Sequence, residues 1–401
     1  MRVLFYEPNH TGHHYAYFAR MFPGFLRLRA DCPQLKFALA TTQKGVESEE
    51  FQRNLSRFAD DLEILPTCTP APSGAILKSW HRCRELAQAK RNWGPDHVCL
   101  LYGDGIWQVA AAAQIFGCRI MGDTIPAEAW IYRGGFAYSD AAGTVSKIKR
   151  FLFRRLLQQE LFDRIHFDDE LLLKYVGSLS PTNTQVLLTP NPIHYGDVID
   201  QKAARECLGL PLNGQLISSS GMITRWKGMD LVLKAFTKAI ESRPVDEVPT
   251  RLLLAGPHED EIRSLLKEKP YQTLVDAGQI ISHNRYFDEQ EMLDVASASD
   301  LVLAAYPKHS GRSSIILWAA AAGRPVLGVN RGCIAHVIEA ERLGATCNVL
   351  DIEKFAKAIN LSLNQPWTEE DRSRVRRYAH WHSSENYAEL SAAYVRKRQC
   401  A

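Results

Sequence analysis

Two kinds of segment alternate along the chain. Short, nearly unbroken apolar runs are followed by longer stretches whose apolar residues recur every third or fourth position. The alternation is most regular in the second half. There "GQLISSSG" reads as a buried strand, and "MDLVLKAFTKAIES" reads as a helix burying Leu231, Leu233, Ala235, Phe236 and Ile240. Strand "TRLLLAGP", helix "DEIRSLLKEK", strand "GQIISHN", helix "DEQEMLDVASAS", strand "DLVLAAYP", helix "SSIILWAAAAG" and strands "RPVLGV" and "ATCNVL" follow. In the first half "RVLFYEP", "HVCLLYGD" and "CRIMGDT" read as strands. Alternation of this kind builds parallel sheets, so the expected class is α/β with doubly wound, Rossmann-like sheets.

The pattern pauses at "LLTPNPIHYGDV", where two prolines, an asparagine and a glycine end one strand before the second series begins. A chain of 401 residues is long for one core. The expected division is 1–190 and 191–375 as two Rossmann-like domains, with 376–401 as a charged, helical closing segment. Tandem doubly wound domains leave a cleft at the carboxyl ends of their strands, and ligands bind there.

Composition narrows the class. Apolar residues make up 46% and charged residues 23%, the mix of a soluble globular protein. A net charge of +3 argues against a general nucleic-acid binder. The 9 cysteines are scattered, odd in number and without a Cys-x-x-Cys pair, as expected of reduced thiols in a cytoplasm. "MRVLFYEPNH" runs straight into a strand with no signal peptide ahead of it, and no apolar stretch approaches the ~20 residues of a membrane span.

Two loops carry the chemistry. "YPKHSGRSSIILW" places His309, Ser310, Gly311, Arg312, Ser313 and Ser314 between a strand end and an apolar helix. A helix start offers unpaired N–H groups to an anion, and Gly311 admits close approach. Arg312 can add a bidentate contact, while Ser313 serves equally well as an ordinary N-cap. "SSSGMITRWKGMDLVL" places Arg225 and Lys227 between Gly221 and Gly228 before another helix. Two such loops opening on one sheet edge suit a diphosphate.

These residues also carry a family resemblance. "RECLGLPLNGQLISSSGMITRWKGMDLVLKAF" and "FDEQEMLDVASASDLVLAAYPKHSGRSSIILWAAAAGRPVLGV" resemble the donor domain of GT-B glycosyltransferases, in particular the retaining family four (glycosyl transferases group 1). "VLLTPNPIHY" is similar to the stretch that opens that domain, "EPNHTGHHYAYFARMF" to the glycine-bearing loop after the first strand, and "HWHSSENYAELSAAY" to the helix that crosses back. The resemblance implies a GT-B fold, with two Rossmann-like domains facing a central cleft. It makes 1–190 the acceptor domain and 191–375 the donor domain. It implies transfer from a nucleotide-diphosphate sugar to an acceptor hydroxyl, with retention and without a cofactor. Two positions depart from the family. Its signature glutamates, which contact the transferred sugar and the ribose, are Ser310 and Trp318 here. Met222 also stands where the family has an arginine, with Arg225 as the expected substitute.

Arg225, Lys227 and the amides of 311–314 can stabilise a leaving diphosphate without a metal. No Asp-x-Asp motif is present, and "HFDDE" at 166–170 reads as an acidic surface loop, with a metal site as the alternative. Asp104 in "YGDG" and Asp123 in "MGDT" are read as ending first-domain strands. Asp123 falls near where relatives place a histidine, and is a candidate to orient the acceptor. Asp104 reads as an Asx-turn or cap and, beyond that, as an acceptor contact. "NHTGHHY" sets Asn9, His10, Gly12, His13 and His14 at the first strand-to-helix turn. Gly12 and His13 are candidates for the donor phosphate, Asn9 and His10 for the acceptor, and a histidine-rich helix start is the alternative. Arg285 and Tyr286 lie in the loop that relatives use for the base, and Trp318 is a candidate for the ribose or a core residue of its helix. "SKIKRFLFRRLLQQELF" (146–162) has five cations around Ile148, Phe151, Leu152 and Leu156. That stripe either packs on its own domain or lies on an anionic membrane face. The acceptor stays unnamed among glycans, lipid-linked molecules and small molecules. A sugar-nucleotide-binding or assembly protein of the same fold, with little catalysis, is the alternative function.

Overall fold

The computed structural model describes the chain apart from residues 11–13, 68–72, 123–124, 139–140, 142, 180–183, 194–195, 245–247, 310 and 400–401. It divides into two compact units, one formed by 1–192 with 384–401 and the other by 193–383.

The first unit holds a parallel sheet of β1 (Arg2–Glu7), β2 (Lys36–Thr42), β3 (Leu62–Thr67), β4 (His97–Leu100), β5 (Ala127–Ile131), β6 (Arg164–Phe167) and β7 (Gln185–Leu188). Its order is β3-β2-β1-β4-β5-β6-β7. The direction of winding reverses between β1 and β4, so the crevice at the carboxyl ends of these two strands is the expected ligand position. One face packs Leu4, Tyr6, Val98, Leu100, Ile165 and Phe167 under helices Ala75–Trp93, Ile106–Ile115 and Thr144–Gln158. The other packs Val3, Phe5, Cys99 and Trp130 under helices His14–Arg27 and Ser384–Gln399. Gly24 lets these two helices touch, because a Cβ there would run into the backbone of Ala388.

The second unit holds β8 (Gln215–Ser220), β9 (Thr250–Ala255), β10 (Ile280–His283), β11 (Leu301–Ala304), β12 (Val326–Val329) and β13 (Gly344–Cys347), all parallel, in the order β10-β9-β8-β11-β12-β13. Its switch point lies between β8 and β11. The runs read as strands in this half are all strands. The structure adds helices Tyr271–Asp276 and Gly332–Ala340.

Three expectations for the first unit are corrected. "CRIMGDT" is not a strand: 118–122 turn between Gly117 and Gly122, both at positive φ, and the next strand starts at Ala127. Only Ile120 and Met121 are consecutive apolar residues there, too few to make a buried strand. The premise that Asp123 ends a strand is therefore lost, and Asp123 itself lies outside the described residues. "HFDDE" is no surface loop, since His166, Asp168 and Asp169 are buried. Asp169 caps helix Glu170–Gly177 by accepting from the N–H groups of Leu171 and Leu172 at 2.9 and 3.2 Å. The stripe on helix Thr144–Gln158 does not stay together: Leu156 is buried and Leu152 half-buried, while Ile148 and Phe151 face solvent. Among the described residues no helix is long and apolar enough to cross a membrane.

Candidate functional site

In the second unit the two loops singled out by sequence meet at the β8/β11 switch point. The first runs from Gly221 to Gly228 and feeds helix Met229–Glu241. Gly221 and Gly228 have φ of +86° and +78°, which only glycine adopts without strain. Gly228 also presses on the other loop. A Cβ there would lie 2.6 Å from Pro307 Cδ and 2.9 Å from the Ala305 carbonyl oxygen.

Lys227 lies inside this junction. Its ammonium stands 5.4 Å from the Tyr306 ring centre and beside Gly221, where a Cβ would be 3.1 Å from Nζ. It makes no hydrogen bond or ion pair among the described residues. Burial holds its pKa below the usual lysine range. An unpaired, half-buried cation is costly unless an anion arrives. The helix Ser314–Ala321 begins close by. Its N-cap Ser313 is extended and makes no side-chain cap, so the first-turn N–H groups lack that partner. Ile315 of this turn comes within 4.0 Å of a Cβ built on Gly221.

The other expected contacts differ. Arg225 is turned away into carboxylates, 3.8 Å from Asp230 and 3.6 Å from Glu261, and is largely exposed. Arg312 donates to His382 Nε2 at 2.9 Å. That ring is buried, and burial with the adjacent guanidinium pushes its pKa well down, so it accepts as a neutral imidazole. His309 Nε2 donates to the Arg312 carbonyl at 2.9 Å and fixes the loop around Gly311. Arg285 pairs with Glu291 at 2.7 Å and lies over Phe287 at 3.9 Å, while Tyr286 is 71% exposed. Trp318 is half-buried, and its indole N–H is buried without an acceptor among the described residues. Ser310 lies outside the described residues. Sequence reasoning missed His258, which ties two strand ends together. Its Nδ1–H donates to the Gly256 carbonyl at 2.6 Å, and its Nε2 accepts from Ser282 Oγ at 3.0 Å.

In the first unit a polar cluster occupies the β1/β4 switch point. Glu7, also missed because it reads as the end of a strand, is its hub. One carboxylate oxygen accepts from the Asn9 N–H and Nδ2, both at 2.9 Å, and the other accepts from His14 Nδ1–H at 3.1 Å. Arg82 donates to Asn9 Oδ1 at 2.5 Å. The His14 ring packs edge-on to Tyr102 at 4.6 Å, and its Nε2 has no hydrogen bond among the described residues. Burial and the nearby Lys44 hold the His10 pKa below the usual histidine range. Asp104 is buried and accepts from the backbone N–H groups of Tyr132 and Arg133 at 2.9 and 3.1 Å. Burial lifts its pKa to about 6 against those two bonds. The carboxylate therefore pins the loop after β5, a long-range bond rather than the Asx-turn or helix cap read from sequence; helix Ile106–Ile115 has Gly105 at its N-cap and no side-chain cap. Gly12 and His13 lie outside the described residues.

Away from the switch point, His97, Cys99 and Glu128 offer atoms within 4.8 Å of one another, the one such group with metal-ligand chemistry among the described residues. Sequence reasoning did not find it. His97 Nε2 donates to Glu128 at 2.9 Å and His166 Nε2 at 2.8 Å, while the Nδ1 atom of each ring is buried without a partner among the described residues.

Two Rossmann-like units, each with its polar loops at a switch point, define a GT-B architecture. Residues 214–365 match the family model described as Glycosyl transferases group 1. Across 185 residues the chain is 25% identical to the D-inositol 3-phosphate glycosyltransferase of Corynebacterium urealyticum, covering 45% of this chain and 42% of that relative, under half its length. The fold is similar to that of sucrose-phosphate synthase from Thermosynechococcus elongatus, with a TM-score of 0.71 at 14% identity over 100% of this chain and 99% of that one. It is also similar to Anabaena HepE in complex with UDP, with a TM-score of 0.66 at 13% identity over 98% and 99%.

Proposed function

We propose that the chain is a glycosyltransferase that moves a sugar from a nucleotide-diphosphate sugar to an acceptor hydroxyl. The observation that carries this is the Lys227 ammonium, half-buried, unpaired and set beside an uncapped helix start at the β8/β11 switch point. Negative charge grows on the diphosphate as the sugar–oxygen bond breaks. Lys227 and the first-turn N–H groups meet that charge where it develops, so no metal is required of the site. The second unit takes the donor. Trp318 supplies an orphaned N–H for the nucleoside in place of a carboxylate.

The first unit takes the acceptor. With Nδ1–H held by Glu7, His14 presents Nε2 as an acceptor for a sugar or alcohol hydroxyl. His14 thus orients a hydroxyl of the acceptor beside the reacting one; the attacking hydroxyl gives its own proton to the departing diphosphate as its oxygen bonds to the sugar carbon, a route that favours retention, as the family resemblance implies. The reading places the protein in the cytoplasm, with peripheral membrane contact through residues 146–162.

A second reading rests on Ser310 and Trp318. Without the two glutamates, a protein that binds the sugar nucleotide and turns it over slowly or not at all is the alternative. The experiment that separates the two incubates the full chain with nucleotide sugars and an acceptor panel. UDP-glucose, with which HepE has been crystallised, heads the donors. Acceptor-dependent release of nucleotide diphosphate supports the enzyme, and binding without release across the panel supports the second reading.

A further inference from the structure

The first unit carries apolar side chains that its core does not use, and they sit among cations. Helix Thr144–Gln158 has Lys147, Lys149, Arg150, Arg154 and Arg155 and no acidic residue. Phe153, Leu156 and Leu157 bury its inner side. Val145, Ile148 and Phe151, three residues apart and so on one face, are 66%, 54% and 52% exposed. Helix Ala75–Trp93 repeats the arrangement in its first two turns. Ile76, Leu77 and Trp80 are exposed there, with Lys78 and Arg84 exposed beside them and no acid before the buried Glu85.

Both patches lie at the same end of the same layer. The two helices share one core cluster with helix Ile106–Ile115, so all three cover one face of the sheet. In a parallel βα unit each helix begins beside the carboxyl end of the strand before it. Contacts agree with this. A Cβ on Gly105, just after β4, would lie 2.9 Å from Ser79 Oγ of the first helix. Lys149 of the second acts electrostatically on Asp104. Arg82 reaches Asn9 in the Glu7–His14 cluster. The rim that holds the acceptor-side residues is therefore edged by two basic, apolar helix starts.

We propose that this rim docks on an anionic lipid bilayer. Ile76, Leu77, Trp80, Val145, Ile148 and Phe151 enter the headgroup layer, and the cations around them meet lipid phosphates. The combination selects this occupant. Many cations without an acid call for a polyanion, and exposed aliphatic and aromatic side chains on both helices call for a surface with an apolar interior. Docking uses residues of the first unit only. It deepens the glycosyltransferase reading by setting the acceptor side against the headgroups, yet it stands or falls separately from it.

The test is co-sedimentation of the full chain with phosphatidylcholine vesicles, with and without phosphatidylglycerol. The variants are Ile148→Glu with Phe151→Glu, and Ile76→Glu with Trp80→Glu. All four positions are exposed, so the variants keep the parent melting temperature and nucleotide-diphosphate affinity. Pelleting with the anionic vesicles alone, weakened by added salt and reduced about tenfold in each double variant, is the expected result. A chain that stays in the supernatant with anionic vesicles overturns the proposal. So does equal pelleting on neutral vesicles, or double variants that pellet like the parent. Any of these can occur in a protein that still releases nucleotide diphosphate to a soluble acceptor, so failure here is distinguishable from failure of the enzymatic reading.

Discussion

Lys227 and Glu128 are both charged groups taken out of water, and their surroundings give them opposite roles. Lys227 has no anion beside it among the described residues, so its cost is recovered only when a ligand supplies one. Lys227→Ala should therefore leave the melting temperature unchanged or slightly raised, while weakening nucleotide-diphosphate binding by about 1.5–3 kcal/mol, as read by calorimetry. Glu128 is fully partnered. Burial alone would raise its carboxyl, but the bonds from His166 and His97 outweigh burial and bring it from 4.5 down to about 2. A depressed carboxyl stabilises the fold above its unfolded pKa, and that contribution is lost as pH falls from 4.5 through about 2. Glu128→Ala should cost about 3 kcal/mol at neutral pH in denaturant titrations, and the gap to the parent should narrow across that acid window. Nucleotide binding by the second unit should be unaffected. Lys227 was legible in the sequence because glycines flank it. Glu7 was not, since nothing local marks a glutamate at a strand end as the partner of a histidine seven residues on.

The strands of the second unit were legible because both faces of the sheet are buried, and a doubly buried strand is an unbroken apolar run. The middle strands of the first unit break that rule. "AEAWI" and "RIHF" carry polar residues that turn to one face, where Glu128 accepts from His166 on one neighbouring strand and from His97 on the other. Each strand alone looks amphipathic or interrupted; the reason for its polar residue lies on a neighbouring strand tens of residues away. The same distance dependence hid the fate of Arg312, whose partner His382 is near in space only. At the β8 loop, local and distant constraints coincide. Gly228 needs positive φ and also the space taken by Pro307. Gly228→Ala should lose about 1–3 kcal/mol of stability from strain and overlap together. It should also lower nucleotide-diphosphate affinity by shifting Lys227, a coupled loss that an exposed control such as Met222→Ala should not show.

Across the whole molecule, the chain spends its last helix on the unit where it began. Tyr387, Ala392 and Val395 of Ser384–Gln399 are buried in the first unit's core, and the Tyr387 hydroxyl lies 3.4 Å from that of Tyr132. A closing helix returning to the first domain was expected from the family resemblance. The point of return, Ser383 to Ser384, could not be read from a charged sequence that is helical on both sides of it. Each unit thus has its own core and its own polar switch point, with a half-buried lysine beside a helix start in one and a carboxylate–imidazole pair in the other. The central claim is that these two serve one reaction, and turnover tests it most directly. The full chain is given a nucleotide sugar with the acceptor panel, and nucleotide diphosphate is measured over time in the parent, Lys227→Ala and His14→Ala proteins. The account predicts release that requires an acceptor, is nearly abolished by Lys227→Ala, and falls in His14→Ala while donor binding is kept. Tight donor binding with no acceptor-dependent release, or release at the parent rate from both variants, would contradict it.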